Sequence, residues 1–228
     1  MGDGWRRNRG IGLHHAAVLR AARAASRLSI ALVADYRLDR GVEVPQPAIF
    51  IAPHRSMFDI PLGIETFHRL GVSPLLVVSR SILLKLRLPV SNWDALDLLP
   101  ISRDSSGRSS LLEAGGEALA GGRSVAIMPE GRIVRAAHHG ETVRSGVADL
   151  AVRTSAPVVV LGSAGSGHFW QRGRPATFVN VSRKPVVVVA HDVIRPEGDV
   201  QAVRIRIAAG LATAEAHAQS RLGAVRAR

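Results

Sequence analysis

Residues 47–60 read PAIFIAPHRSMFDI, and this stretch decides the fold. The run 47–52 is apolar and short enough for a strand covered on both faces, and the polar turn after it leads into a helical pattern over about 57–70. A buried strand handed directly to a helix is the building step of an α/β sheet. The same stretch sets His54 five residues ahead of Asp59. Two readings stand side by side: a loop histidine next to a Ser56-x-x-Asp59 capping box, or a base and a carboxylate brought to one face by the loop-to-helix step.

Outward from this stretch the pattern repeats. Apolar, strand-like runs occur at 75–79, 98–101, 124–128, 158–161, 176–181 and 186–190. Helical patterns fall between them at about 107–120, closed by Gly121-Gly122, and at about 142–154, and a last helix is expected over about 200–222. The layout predicts an α/β fold with a mixed, largely parallel sheet flanked by helices.

The first 40 residues differ. They hold eight arginines (Arg6, Arg7, Arg9, Arg20, Arg23, Arg27, Arg37, Arg40) against three aspartates, +5 of the net +12. Over 11–34 the run is alanine-rich, with Arg20, Arg23 and Arg27 on one stripe and Leu13, Val18, Ala22, Ala25 and Leu32 elsewhere. The expected division is a basic helical segment at 1–40 ahead of a domain at 41–228. The helix suits a membrane surface, or equally a helix packed on the domain with its arginines solvated.

Composition narrows the class of function. At 228 residues and 46% hydrophobic content the chain buries a full core. It has no cysteine, which excludes disulfides, thiolate metal sites and a cysteine nucleophile and makes the cytoplasm the default address. A net +12 calls for anionic partners: nucleic acid, an anionic membrane surface, or phosphorylated substrates. The longest uncharged run, 154–171, is broken by Pro157 and three glycines, so no membrane-spanning helix is expected. Aromatic content of 4% with no nucleic-acid-binding signature argues against nucleic acid.

Three further pieces lie near predicted strand ends, where open α/β sheets hold their ligands. LLPISRD (98–104) puts Arg103 just past a strand. SVAIMPEGR (124–132) runs a strand into Pro-Glu-Gly, followed by Arg132 and Arg135. RSGVADLA (144–151) sets Arg144 and Gly146 at a helix start. Taken singly, these are a solvated loop charge, an ordinary turn and a loop-to-helix junction.

Their order and spacing, His-x4-Asp, arginine, strand-Pro-Glu-Gly-Arg, Arg-x-Gly before a helix, then Ala156-Pro157-Val158-Val159-Val160, resemble the glycerolipid acyltransferase family, best known for its lysophosphatidic acid acyltransferases. The resemblance covers roughly 47–162. It implies that His54 is the general base for an acceptor hydroxyl attacking an acyl thioester, with Asp59 holding the imidazole tautomer, so that Asp59→Asn fails through the wrong tautomer. It implies that Arg103, Glu130, Gly131, Arg132, Arg135 and Arg144 form the phosphate-binding side. There Glu130 bonds a glycerol hydroxyl or pins one of the arginines. Two positions depart from the common pattern: Pro53 stands where many members have asparagine, and Glu130-Gly131-Arg132-Ile133 replaces Glu-Gly-Thr-Arg.

The co-substrates so implied are acyl-CoA or an acyl carrier protein and a lysolipid such as 1-acylglycerol-3-phosphate, with no bound cofactor and no metal. The enzyme is expected peripherally on the cytoplasmic face of an anionic membrane. The rivals are acyl transfer to a glycolipid or aminolipid hydroxyl, and a non-catalytic basic binder of membrane or nucleic acid. His138, His139 and Glu141 are read as a solvated loop rather than a metal site.

Overall fold

The computed structural model describes residues 12–85, 87, 91–102, 104–134, 143–169 and 183–227. Strands β1 (Ala34–Arg40), β2 (Ile49–Ile51), β3 (Leu75–Ser79), β4 (Leu98–Ile101), β5 (Val125–Ile127), β6 (Val158–Ala164) and β7 (Lys184–Ile194) form one sheet in the order β1-β7-β6-β2-β5-β3-β4. Every neighbouring pair is parallel except β6 with β7. The helices are α1 (Gly12–Val33), α2 (Asp59–Leu70), α3 (Arg80–Lys85), α4 (Ser91–Ala95), α5 (Ser105–Ala120), α6 (Ser145–Thr154) and α7 (Val200–Arg226). The expected mixed, largely parallel sheet flanked by helices is what the chain forms. The expected strand at 176–181 lies outside the described residues.

The twofold alternation of strand side chains divides the core. Ile49 and Ile51 with Val158 and Val160 face α5, α6 and α7, and meet Leu150, Ile207 and Leu211. Phe50, Val159 and Leu161 face the other way, onto Phe67 of α2 and Val72. Both faces of β2 are therefore covered, which is why its sequence is continuously apolar. Because β5 inserts between β2 and β3, the crevice at the C-terminal ends of β2 and β5 is the switch point of the parallel part.

One difference from the sequence reading concerns the N-terminal segment. The helix ends at Val33, and residues 34–40 are the edge strand β1, paired in parallel register with β7 from Ala34↔Lys184 to Arg40↔Ala190. Seven residues with four charges carry a weak apolar signal, and a long-range pairing supplies what the local pattern lacks. The helix itself packs on the domain: Ser26 and Ile30 are buried, and Arg27 Nε donates to buried Glu65 Oε2 at 3.0 Å. Its outer side keeps Leu28 and Leu32 62% and 66% exposed.

Candidate active site

The turn after β2 is built around one carboxylate oxygen. Asp59 Oδ2 accepts the backbone N–H groups of Arg55 (2.7 Å) and Ser56 (2.8 Å) and lies 3.0 Å from His54 Nδ1. Ser56 Oγ accepts from the backbone N–H of Phe58 at 3.0 Å, so the two readings of this stretch hold together. The serine and aspartate brace the turn that leads into α2, and the carboxylate that accepts from Ser56 N is the one that holds the histidine. A carboxylate only accepts, so Nδ1 carries the proton and Nε2 presents its lone pair. Asp59 is 5% exposed, and the His54 side chain is 16% exposed.

A second carboxylate supports the same turn. Glu130 lies in the Pro-Glu-Gly turn after β5, and its carboxylate accepts the backbone N–H of His54 at 3.2 Å. Arg55 Nη1 donates to Glu130 Oε1 at 2.8 Å. Glu130 thus pins an arginine, and that arginine is Arg55 rather than any singled out in the sequence. Burial pushes the Glu130 carboxyl above the usual carboxylate range, and the Arg55 charge offsets that only in part. For Arg55, burial disfavours the charge, but Glu215 and Glu130 together outweigh it and hold the guanidinium more firmly protonated than usual. The carbonyl of His54 accepts from Val134 N at 2.9 Å, which locks the loop after β5 to the turn after β2.

A cleft of about 1040 Å³ runs past the dyad, with His54 and Asp59 in its wall. Its lining includes an apolar set, Leu19 of α1, Ile60 and Ile64 of α2, Leu76, Val78 and Leu83. It also includes a polar, basic set, Arg108, Arg132 and Arg144 with Ser105 and Ser145 at the starts of α5 and α6. Those two helix N-termini add partial positive charge to the arginines. Gly131 has φ +64°, and a Cβ there would come within 3.0 Å of Arg144 Nε, so the arginine lies across the glycine. Arg144 N donates to Pro129 O at 3.0 Å, tying the start of α6 to the Pro-Glu-Gly turn.

Of the residues expected from the sequence, the structure brings His54, Asp59, Gly131, Arg132 and Arg144 to one cleft and turns Glu130 behind it, toward Arg55. Arg103 and Arg135 lie outside the described residues, as do His138, His139 and Glu141. Sequence reasoning missed Arg55, Glu215, Arg108 and Asp149. Arg108 Nε donates to Asp149 Oδ2 of α6 at 2.7 Å, an aspartate that is buried although it is placed as an ordinary helical residue. No sequence spacing links a charge on α5 to one on α6. For Arg55 the available signal was its position inside the His-x4-Asp step.

Among the described residues no serine or threonine hydroxyl bonds the His54 ring, whose polar partner is Asp59. A His–Asp pair in the wall of a cleft lined by apolar side chains and arginines fits an enzyme of group transfer. The family model described as Acyltransferase matches residues 36–163, more than half of the chain, and the chain belongs to that family. It is an acyltransferase. In fold it is similar to the crystal structure of the 1-acyl-sn-glycerophosphate (LPA) acyltransferase, PlsC, from Thermotoga maritima. That likeness has 20% identity and a TM-score of 0.65, and covers 98% of this chain and 86% of that one. No curated protein matches the chain significantly.

Proposed function

We propose that the enzyme transfers a fatty acyl group from an acyl thioester, acyl-CoA or acyl carrier protein, to a hydroxyl of a lysophospholipid such as 1-acylglycerol-3-phosphate. The observation that carries this reading is a single cleft whose lining joins an apolar set of side chains, the His54–Asp59 dyad and three arginines. An acyl chain fits the first, and a phosphate monoester fits the guanidinium groups of Arg108, Arg132 and Arg144 in the last.

His54 Nε2 takes the proton of the acceptor hydroxyl as its oxygen attacks the thioester carbonyl carbon. The imidazolium so formed is stabilised by Asp59 Oδ2 at Nδ1. Collapse of the tetrahedral intermediate breaks the C–S bond, and the proton on Nε2 passes to the departing thiolate. Positioned proton transfer of this kind contributes about 10²- to 10⁴-fold.

The same reading places the enzyme peripherally, on the cytoplasmic face of an anionic membrane. No helix among the described residues is long and apolar enough to cross a bilayer. The outward side of α1 carries Ala17, Ala21, Ala24, Leu28 and Leu32, all exposed, a face suited to the headgroup boundary. The deciding experiment measures free-thiol release from one acyl-CoA against lysolipids with and without a phosphate monoester. Release with 1-acylglycerol-3-phosphate well above that with glycolipid or aminolipid acceptors is the expected result. Equal use of all of them removes the phosphate from the reading.

A further inference from the structure

The closing helix reaches the catalytic turn through one side chain. A Cβ at position 162 of β6 would stand 2.0 Å from the carbonyl oxygen of Ala214, so glycine alone lets α7 come this close to the sheet. That approach seats the next residue, Glu215, against Arg55. Arg55 Nε donates to Glu215 Oε1 at 2.6 Å and Nη2 to Oε2 at 2.5 Å, a two-pronged bond between planar groups. The third arm, Nη1, goes to Glu130 Oε1, and the Glu130 carboxylate receives the backbone N–H of His54. Meanwhile the backbone N–H of Arg55 donates to Asp59 Oδ2. Arg55 therefore touches both supports of the dyad, Asp59 through its backbone and Glu130 through its side chain.

A buried ion pair is a weak source of stability, and apolar residues of similar volume often serve as well. An apolar contact lacks the directional fork that fixes the rotation of the Arg55 guanidinium, and with it the backbone that carries His54. We propose that Glu215 is a positioning residue for the catalytic base, acting through Arg55 and Glu130 on the turn that holds His54. It stands 52 residues beyond the last family-matched position (215 − 163 = 52), so this support is supplied by the closing helix and not by the matched segment. The proposal rests on the reading of His54 as the base.

The test reads the dyad directly, through solvent exchange of the His54 Nδ1–H proton in the NMR spectrum of the full chain, with kcat and KM measured beside it. In the wild type this proton is expected to be protected. Glu215→Gln keeps side-chain length and one acceptor, so α7 remains seated by Ile207, Leu211 and Ala218. Arg55→Lys keeps the charge but loses the fork. Each is expected to speed Nδ1–H exchange about tenfold or more and to lower kcat about tenfold, with both KM values and the melting temperature close to wild type. Glu215→Asp, one methylene shorter, should restore part of the protection.

If Glu215→Gln does not fold, Arg55→Lys decides alone. Wild-type exchange in the folded variants, or an unprotected proton in the wild type itself, overturns the proposal. Failure of the lysophospholipid reading is distinguishable, because it appears as absent thiol release in the wild type while the proton measurement stands unchanged.

Discussion

Asp59→Asn separates two roles that the aspartate combines, and the structure predicts which one is lost. An asparagine presents one oxygen and one NH₂. The site of Oδ2 faces two backbone donors, Arg55 N at 2.7 Å and Ser56 N at 2.8 Å. Placing the NH₂ there would leave both buried donors unpaired, at about 1–3 kcal/mol each. The amide oxygen therefore takes that place, and the NH₂ takes the place of Oδ1, which has no hydrogen-bond partner among the described residues.

His54 Nδ1–H then still finds an acceptor, and the tautomer expected from the sequence to be lost is kept. Only the charge goes. Its upper value is about 4 kcal/mol for charge centres ~4 Å apart at an effective dielectric of ~20, and its lower value about 1.4 kcal/mol, the gain of a charge-assisted bond over a neutral one. The expected fall in kcat/KM is thus between about 10-fold and 10³-fold. A wrong tautomer costs about 10⁴-fold in a comparable His–Asp pair. Thiol release at saturating acyl-CoA measures it, with Asp59→Ala beside it, which unpairs both backbone donors and should lose more. A folded Asp59→Asn protein as inactive as Asp59→Ala, or reduced by 10⁴-fold, would refute the argument from the two backbone donors.

Arg132→Ala or Arg144→Ala should raise KM for a phosphorylated lysolipid at least tenfold while changing KM for the thioester little, and lysine should restore only part; equal losses with unphosphorylated acceptors would make these arginines structural. Gly131→Ala, which crowds Arg144 and strains a backbone at φ +64°, should reproduce the Arg144→Ala kinetics and cost about 1 kcal/mol of stability in a denaturant titration. Burial raises the Tyr36 phenol from 10.0 to about 12, so the neutral form is favoured in the folded chain. Stability from this group is therefore full below pH 10 and lost as pH rises toward 12, by about 2–3 kcal/mol. Tyr36→Phe, which gives up the 2.8 Å bond to Thr66, should start about 1 kcal/mol lower and show no such loss when melts are compared at pH 9 and above. Replacing Leu28 and Leu32 with serine should abolish most sedimentation with anionic vesicles and leave the melting temperature within a few degrees; binding equal to wild type would place the membrane contact elsewhere.

What the sequence made legible was whatever repeats locally. The strand at 47–52, the helix after it and the His54–Asp59 spacing are written within about two dozen residues, and each has a mechanical cause that acts at that range. Family resemblance then ordered Arg132 and Arg144 around the dyad, although the single motifs were weak. Glu215 was not legible. On a 27-residue helix an isolated glutamate flanked by alanines reads as a solvated face, and its partner is 160 residues away. Asp149 was hidden for the same reason, with its arginine on a different helix. Strand β1 was missed because its charges mask the alternation, and only its register with β7 reveals it.

That register also changes how the membrane contact has to be tested. Deleting residues 1–40 removes seven paired positions of the sheet along with α1, and bares the outer edge of β7. It also removes Tyr36, buried against Phe58 and Leu62 of the catalytic side, so loss of vesicle binding in that truncation would not be separable from loss of the fold. Much of the basic charge counted there is already engaged: Arg27 holds Glu65, Arg23 reaches Ser73 Oγ at 3.3 Å, and Arg37 pairs with Asp35 at 3.2 Å. What α1 offers outward is mainly apolar. Each exposed leucine that enters the acyl boundary contributes about 1–2 kcal/mol, so Leu28 and Leu32 rival several surface arginines at about 1 kcal/mol each. Because Leu19, Ala22 and Arg23 on the inward side of the same helix line the cleft, the helix proposed to meet the bilayer is also a wall of the cleft. On the proposed reading a lipid would enter beside α1, past the apolar residues that line the cleft with His54, and the salt dependence of activity should be weak compared with its dependence on Leu28 and Leu32.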